Sequence, residues 1–337
     1  MLGSRRCVYA WLGVCLAWSM APAAWQQEAP PQASSDRDEP FFEVYRQAQP
    51  ITAWTLKKLL HTFPELKGVQ PDESQASLPS LLHGVAQNLD LFRKEFPDTA
   101  SVETIDESRV ADGTSSVGEN LGLGILGSLQ SPSSEKDREK FRYVMLPAPA
   151  DRGLAEFRTD LHGHQERTAQ TGIFIKTTGF VTLPFFFTAE SQHLSDFRYL
   201  GSQAVGERSC QVVAFAEHAD PQAARGRLQV GMDSIPLLFE GLAWIDPAIG
   251  QIVRIRADLL ASQPHAGLRR LTTAVVFGPI KFQSRPITVW LPRDVYVILD
   301  SQDYTFENHH HYSDYQLFKV ETQQTAQQPK PANPEPR

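Results

Sequence analysis

Three consecutive histidines, His309, His310 and His311, followed by Tyr312, Ser313, Asp314 and Tyr315, form the densest group of potentially reactive side chains in the sequence. On a strand, His309 and His311 fall on one face, while His310 faces the other beside Asn308 and Tyr312. Imidazoles at i and i+2 can hold a metal ion, to which Asp314 or Glu307 can add an oxygen ligand. No third ligand stands at a recognisable spacing, so the competing expectation is a polar, hydrogen-bonded strand end. His162 and His164 form a second i, i+2 pair, and nothing in the sequence brings the two pairs together.

Apolar chemistry is concentrated elsewhere. Pro184-Phe185-Phe186-Phe187 reads as a strand whose consecutive aromatics point to both faces, which requires burial on both sides or an exposed apolar rim. With Phe180 and Leu183, it is the leading candidate for a cavity lining or lid. Trp244 is either a cavity wall or a core aromatic beside a turn-forming aspartate, Asp246. Trp290 has the same ambiguity, and Pro292 two residues on places its strand at an edge or bulge. Cys210 lies in an apolar strand, where a small buried hydrophobe is expected rather than a nucleophile. The serine-hydrolase elbow, phosphate loop, zincin motif and dinucleotide fingerprint are all absent from the sequence. No catalytic residue and no cofactor are assigned.

The elements that must position these groups are legible from periodicity. From Phe141 onward the period is two, giving roughly eight to ten strands by the spacing of turns. Phe197 to Leu200 is expected to pair with Cys210 to Ala216. Val253, Ile255, Ala257 and Leu259 alternate with Arg254, Arg256 and Asp258, the pattern of an antiparallel strand with one wet face. Upstream, Leu56, Leu59, Leu60 and Phe63 keep helical spacing up to Pro64. Leu78, Leu81, Leu82, Val85, Leu89, Phe92 and Phe96 do so after Ser77, with Pro97 as the stop. Both helices are one-sided and are expected to bury their apolar faces on the sheet.

Residues 1–24 have the form of an export signal: Arg5 and Arg6, a short apolar core, then Ala21-Pro22-Ala23-Ala24. Whether export is general secretory or twin-arginine stays open. Residues 25–40 read as a flexible leader, 41–111 as a helical segment packing on the sheet and 112–138 as a flexible Gly/Ser-rich loop. The β half-barrel is assigned to 139–322 and a disordered tail to 323–337. Removing the signal's two arginines moves the net charge from −7 to −9, which argues against nucleic acid as a partner. At 41% hydrophobic residues the chain can bury a substantial core. No second long apolar segment exists, so no integral membrane segment is expected after signal removal.

The hairpin Ala243-Trp244-Ile245-Asp246-Pro247-Ala248-Ile249-Gly250-Gln251-Ile252-Val253-Arg254, with the signal, early helices and long meander, resembles the lipoprotein-carrier (LolA-like) superfamily of periplasmic half-barrels. The blocks Phe63 to Gly68, Phe157 to Asp160, Phe197 to Leu200, Trp290 to Arg293 and His311 to Tyr315 resemble a family of uncharacterised exported bacterial proteins. The resemblance implies an α+β fold: a large curved antiparallel sheet, a half-barrel, with N-terminal helices packed on it. A curved sheet with one apolar face must be covered by helices, a ligand or both. The expectation is therefore an exported, periplasmic or extracellular, non-enzymatic protein binding an apolar or lipid-like ligand on its concave face. The alternatives are an envelope interaction or scaffold protein with a protein partner, and a metal-assisted enzyme at His309, His311 and Asp314.

Overall fold

A computed structural model describes residues 15–17, 38–111, 135–147, 154–162, 177–224, 226–230, 233–282, 287–301 and 304–317. Among the described residues there are three α-helices: α1 (Glu39–Arg46), α2 (Leu56–Thr62) and α3 (Leu78–Glu95). The strands are β1 (Cys15–Ala17), β2 (Gln70–Pro71), β3 (Thr99–Ala111), β4 (Glu135–Pro147), β5 (Leu154–Thr159), β6 (Ser195–Val205) and β7 (Arg208–Glu217). They continue with β8 (Gly226–Val230), β9 (Asp233–Leu237), β10 (Phe239–Asp246), β11 (Gln251–Leu259), β12 (Leu268–Lys281), β13 (Thr288–Ser301) and β14 (Tyr304–Leu317). Eleven of them make one open antiparallel sheet in the order β2-β6-β7-β10-β11-β12-β13-β14-β3-β4-β5, and β1, β8 and β9 make a small second sheet. The expected α+β half-barrel is the observed fold. The expected pairing of Phe197 to Leu200 with Cys210 to Ala216 is present as β6 and β7, with Phe197 opposite Phe215 and Tyr199 opposite Val213.

The sheet order has one consequence for the site. β5 closes one edge, whereas β6 lies near the other. The chain between them has to pass from one edge of the sheet to the other; residues 160–162 are described at its start, and residues 177–194 are the described part that leads into β6. Residues 177–194 lie on the face that carries α3, the inner face.

Strand β7 shows why both faces are covered. Val213 and Phe215 point inward, Cys210, Val212 and Ala214 point outward, and all five are fully buried. On the inner face Leu81, Val85 and Leu89 of α3 join Phe215, Phe239, Ile255 and Val295 in one core. On the outer face Ile51, Leu59 of α2, Phe63 and Leu66 pack on Cys210, Val212, Leu242 and Trp244 in a second. The two one-sided helices thus lie on opposite faces, which corrects the expectation of a single surface between the sheet and both of them. The wet face of β11 is partly covered as well: Arg256 donates to Glu65 at 2.6 Å and to Asp258 at 2.7 Å, beneath the 3₁₀ turn Pro64–Leu66.

Local chemistry sets the helix ends. Thr55 caps α2, its Oγ1 accepting from the Lys58 amide at 3.3 Å, and Pro64 ends it. Ser77 stands at the start of α3 with no side-chain cap bond, and Pro79 occupies the first turn. The hairpin Asp246 to Gln251 reaches α3: Asn88 Nδ2 donates to the Ile249 carbonyl at 2.9 Å. Gly250 has φ +62°, and a Cβ there would lie 2.5 Å from the Gly84 carbonyl oxygen, so the turn approaches the helix this closely only with glycine at 250.

Three boundaries differ from expectation. Residues 99–111, assigned to a helical segment, are strand β3 in the body of the sheet. Its inner face carries Ser101, Glu103 and Glu107, all buried, so no apolar alternation marks it. Helix α1 begins inside the assigned leader, and β4 begins at Glu135 inside the assigned loop. Residues 112–134, the tail 323–337 and, apart from β1 and its pairing with β8, the segment 1–37 lie outside the described residues.

Candidate ligand-binding site

Pro184-Phe185-Phe186-Phe187 is not a strand. Leu183–Phe187 is a 3₁₀ turn with Pro184 in its first turn, and every residue is buried. Proline fixes φ and lacks an amide hydrogen, which suits a turn start and not a central strand. The turn is a plug on the inner face. Phe186 packs on Phe215 and Phe239 at ring distances of 5.0 and 6.3 Å. Phe187 packs on Phe197 and Phe215, and Phe185 meets Phe92 of α3 edge-on. Gln192 ties the plug to the helix, Nε2 donating to the carbonyls of Leu82 (3.0 Å) and Phe187 (2.9 Å). The Arg93–Glu190 ion pair adds a second tie. What remains open between Thr177–Phe180, Leu183, Phe239 and Leu271 is a cavity of about 10 Å³, room for a single water.

The other end of the crossing is held by a buried polar cluster. Glu103 of β3 accepts from Arg158 of β5, Nη2 to Oε1 at 2.7 Å, in a bidentate pair. The same carboxylate accepts from the Tyr312 hydroxyl at 2.7 Å, and His310 Nδ1 lies 2.8 Å away. Arg158 also donates to the Thr177 carbonyl at 2.7 Å. Glu156 accepts from the amides of Val181 and Thr182 at 3.3 and 3.2 Å and from the Tyr143 hydroxyl. Alternate residues of β5 thus anchor the start of the plug segment. Phe180 then lays its ring edge-on against His310 at 5.0 Å.

Burial by itself raises the Glu103 carboxyl, but the Arg158 charge and the bonds from His310 and Arg158 hold it at about 2. Burial pushes Glu156 up and His310 down, and it takes the Tyr143 and Tyr312 hydroxyls well above their ordinary value. The cluster therefore centres on one ion pair, with a neutral imidazole beside it. His310 Nε2 has no hydrogen-bond partner among the described residues.

The candidate residues divide. Phe180, Leu183, Phe185, Phe186 and Phe187 are brought together on the inner face. Trp244 is on the outer face, fully buried, donating Nε1 to Gln203 at 2.8 Å under the Arg254 guanidinium. It does not share a cavity with the phenylalanines, because Val212 and Leu242, its outward neighbours, set its side of the pleat. Asp246 makes the expected turn, accepting from the Ala248 amide at 3.0 Å. Trp290 is half-buried at the margin, with Arg208 stacked over it at 4.8 Å. Cys210 is buried, and desolvation raises its thiol to about 11.

His309 and His311 do share a face, both turned to Asp294: Nδ1 of His311 lies 3.0 Å from it and Nε2 of His309 3.6 Å. His309 also stacks on Tyr296 at 4.2 Å. Asp314 sits at a bulge with φ 52° and pairs with Ser313. Among the described residues no group of three or more His, Cys, Asp or Glu could hold a metal ion, which corrects the metal reading of His309, His311 and Asp314. His164 lies outside the described residues. The histidine that matters structurally is His310, whose partner Glu103 is 207 residues away in sequence.

No protein-family model and no curated protein matches the chain. Among solved structures, it is similar to a domain described as an outer membrane lipoprotein-sorting protein from Vibrio parahaemolyticus. That match has 11% identity and a TM-score of 0.30, over 72% of this chain and 94% of that one. A LolA superfamily protein from Nitrosomonas europaea gives 9% identity and a TM-score of 0.28, over 71% and 94%. A DUF1329 family protein from Desulfovibrio piger gives 8% and 0.25, over 72% and 95%. No residue role is transferred from any of them.

Proposed function

We propose that this chain is a non-enzymatic carrier, exported to the periplasm or beyond, that binds a lipid-like ligand on the inner face of its half-barrel. In this reading the 177–194 crossing is a removable cover. The observation that carries it is the plug itself. An aromatic floor of Phe215 and Phe239 is covered at its centre by a 3₁₀ turn, with α3 and Leu228, Ile235 and Leu237 of the small second sheet completing the same core. Plug and ligand compete for the same surface, since the space left beside the plug holds only a water. That competition sets the ligand's size. Three phenylalanines bury on the order of 600 Å², about 15 kcal/mol at ~25 cal/mol per Å². An acyl chain offsets that at about 0.8 kcal/mol per buried methylene only when it buries roughly nineteen carbons. Among the described residues no helix is long and apolar enough to cross a membrane.

The test is mass spectrometry of organic extracts from protein purified without detergent, followed by titration of the stripped protein with a fluorescent long-chain fatty acid. A co-purified lipid or saturable binding is expected. Extracts free of lipid, together with no saturable binding, defeat the proposal.

A further inference from the structure

The outer edge of β6 is finished along only half its length. At one end Gln70–Pro71 pairs with Ser202 and Gly201, and the Asp72 amide donates to the Leu200 carbonyl at 3.2 Å. Gly201 makes this possible: φ is +133° at the bulge, and a Cβ would fall 2.1 Å from the Gln70 carbonyl oxygen. One residue further, the Gln75 side-chain amide imitates a strand. It accepts from the Tyr199 amide at 2.8 Å and donates to the Tyr199 carbonyl at 3.0 Å.

Beyond Tyr199 the imitation stops. In an antiparallel ladder alternate residues turn their N–H and C=O to opposite sides. The His218 amide meets the Leu194 carbonyl on the β7 side, and Tyr199 faces outward to Gln75, so Ser195 and Phe197 face outward too. The Ser195 amide is taken by the Gln192 carbonyl. The Ser195 carbonyl and both backbone groups of Phe197 have no partner among the described residues. They open onto a cleft of about 540 Å³ between Pro50–Ala53 and Glu73–Gln75.

We propose that this edge is a docking site for an extended strand of a partner protein, in which apolar and basic residues alternate. The mode is strand addition, in which backbone bonds supply affinity and alternate side chains supply specificity. Phe197 would exchange both backbone bonds with one residue of the incoming strand. That residue shares the face on which Phe197 meets Phe187 at 5.0 Å, so it is apolar. Its neighbours face the side of Asp196 and Arg198. The Arg198 guanidinium is already engaged by the carbonyls of Thr52 and Trp54. Bonds to neutral carbonyls leave the Arg198 charge in place, but the exposed carboxylates of Asp196, 3.2 Å from His218, and of Glu73 outnumber it there, and the net charge of −7 adds long-range attraction for a basic segment. The inference goes beyond the carrier reading and needs no movement of the plug.

The probe is a fluorescein-labelled hexapeptide alternating valine and lysine, titrated by anisotropy at low ionic strength, with amide hydrogen exchange read at Phe197. Expected are free exchange at Phe197 in the protein alone, protection in the complex, and saturable binding. N-methylating one edge of the peptide, or the exposed double variant Glu73→Lys and Asp196→Lys, should weaken that binding at least tenfold. A Phe197 amide already protected in the free protein overturns the proposal, because the edge is then occupied. So does binding indifferent to N-methylation, or no binding at millimolar peptide.

Discussion

Glu103 joins three strands through one carboxylate: Arg158 from β5, and His310 and Tyr312 from β14. Its value of about 2 lies below the ordinary 4.5. A carboxyl depressed on folding stabilises the protein above its unfolded value, and that stability is lost as pH falls from about 4.5 toward 2. The amount is on the order of 3 kcal/mol. Glu103→Gln leaves the Arg158 charge buried without its counter-ion, so urea unfolding at pH 6 should show a loss of about 3–5 kcal/mol. The variant's stability should then change less than the parent's between pH 4.5 and 2.5. Equal stability of the two proteins at pH 6 would remove Glu103 from the centre of the cluster. Sequence pattern marked the histidine run and the Phe157-Arg158 block but not this residue. A buried glutamate on an inner face looks like a solvent position until its partners, 55 and 207 residues away, are folded against it.

At the scale of elements, the outer cover and the inner plug are each fastened by a buried acid. Glu240 accepts from the Ile51 amide at 2.7 Å, and burial raises its carboxyl to about 7. The sign is opposite to that of Glu103. A carboxyl raised on folding favours the fold below about 4.5, and that contribution is lost as pH rises through 7. Exchange of the Ile51 amide, corrected for its intrinsic pH dependence, should accelerate between pH 5 and 8. Glu240→Gln, which keeps the acceptor and removes the charge, should flatten that rise. No change of the pH profile in the variant would show that the 50–53 turn is held by other contacts. On the inner face Phe186→Ala should cost about 3–5 kcal/mol in chemical unfolding, the range for emptying a buried phenylalanine site. A cost under about 1 kcal/mol would mean that the plug is already loose. The apolar character of Leu183 to Phe187 was legible in the sequence. Its 3₁₀ form was signalled by Pro184, which the strand reading set aside.

The whole molecule follows from the sheet order. β3, β4 and β5 join the far end of the meander beside β14, so the chain has to pass back to the other edge to reach β6, and the part that leads into β6 carries the plug. If plug and ligand exclude each other, loosening the plug must tighten binding. Gln192→Ala, which removes two hydrogen bonds to main-chain carbonyls, should lower stability by about 1–2 kcal/mol. It should also raise affinity for a long-chain fatty acid severalfold, as read by fluorescence titration. Unchanged affinity in the destabilised variant would separate the ligand surface from the plug. The sequence by itself determined the antiparallel sheet, the β6–β7 pairing, the Asp246 turn and the two amphipathic helices, because periodicity and turn chemistry act over a few residues. Only the tertiary structure decided which face each helix covers, that Trp244 and Phe186 lie on opposite sides of one sheet, and that Glu103 meets His310 and Arg158. Alternation along a strand gives two faces without saying which is inner. Contacts between residues far apart in sequence leave no local period to read.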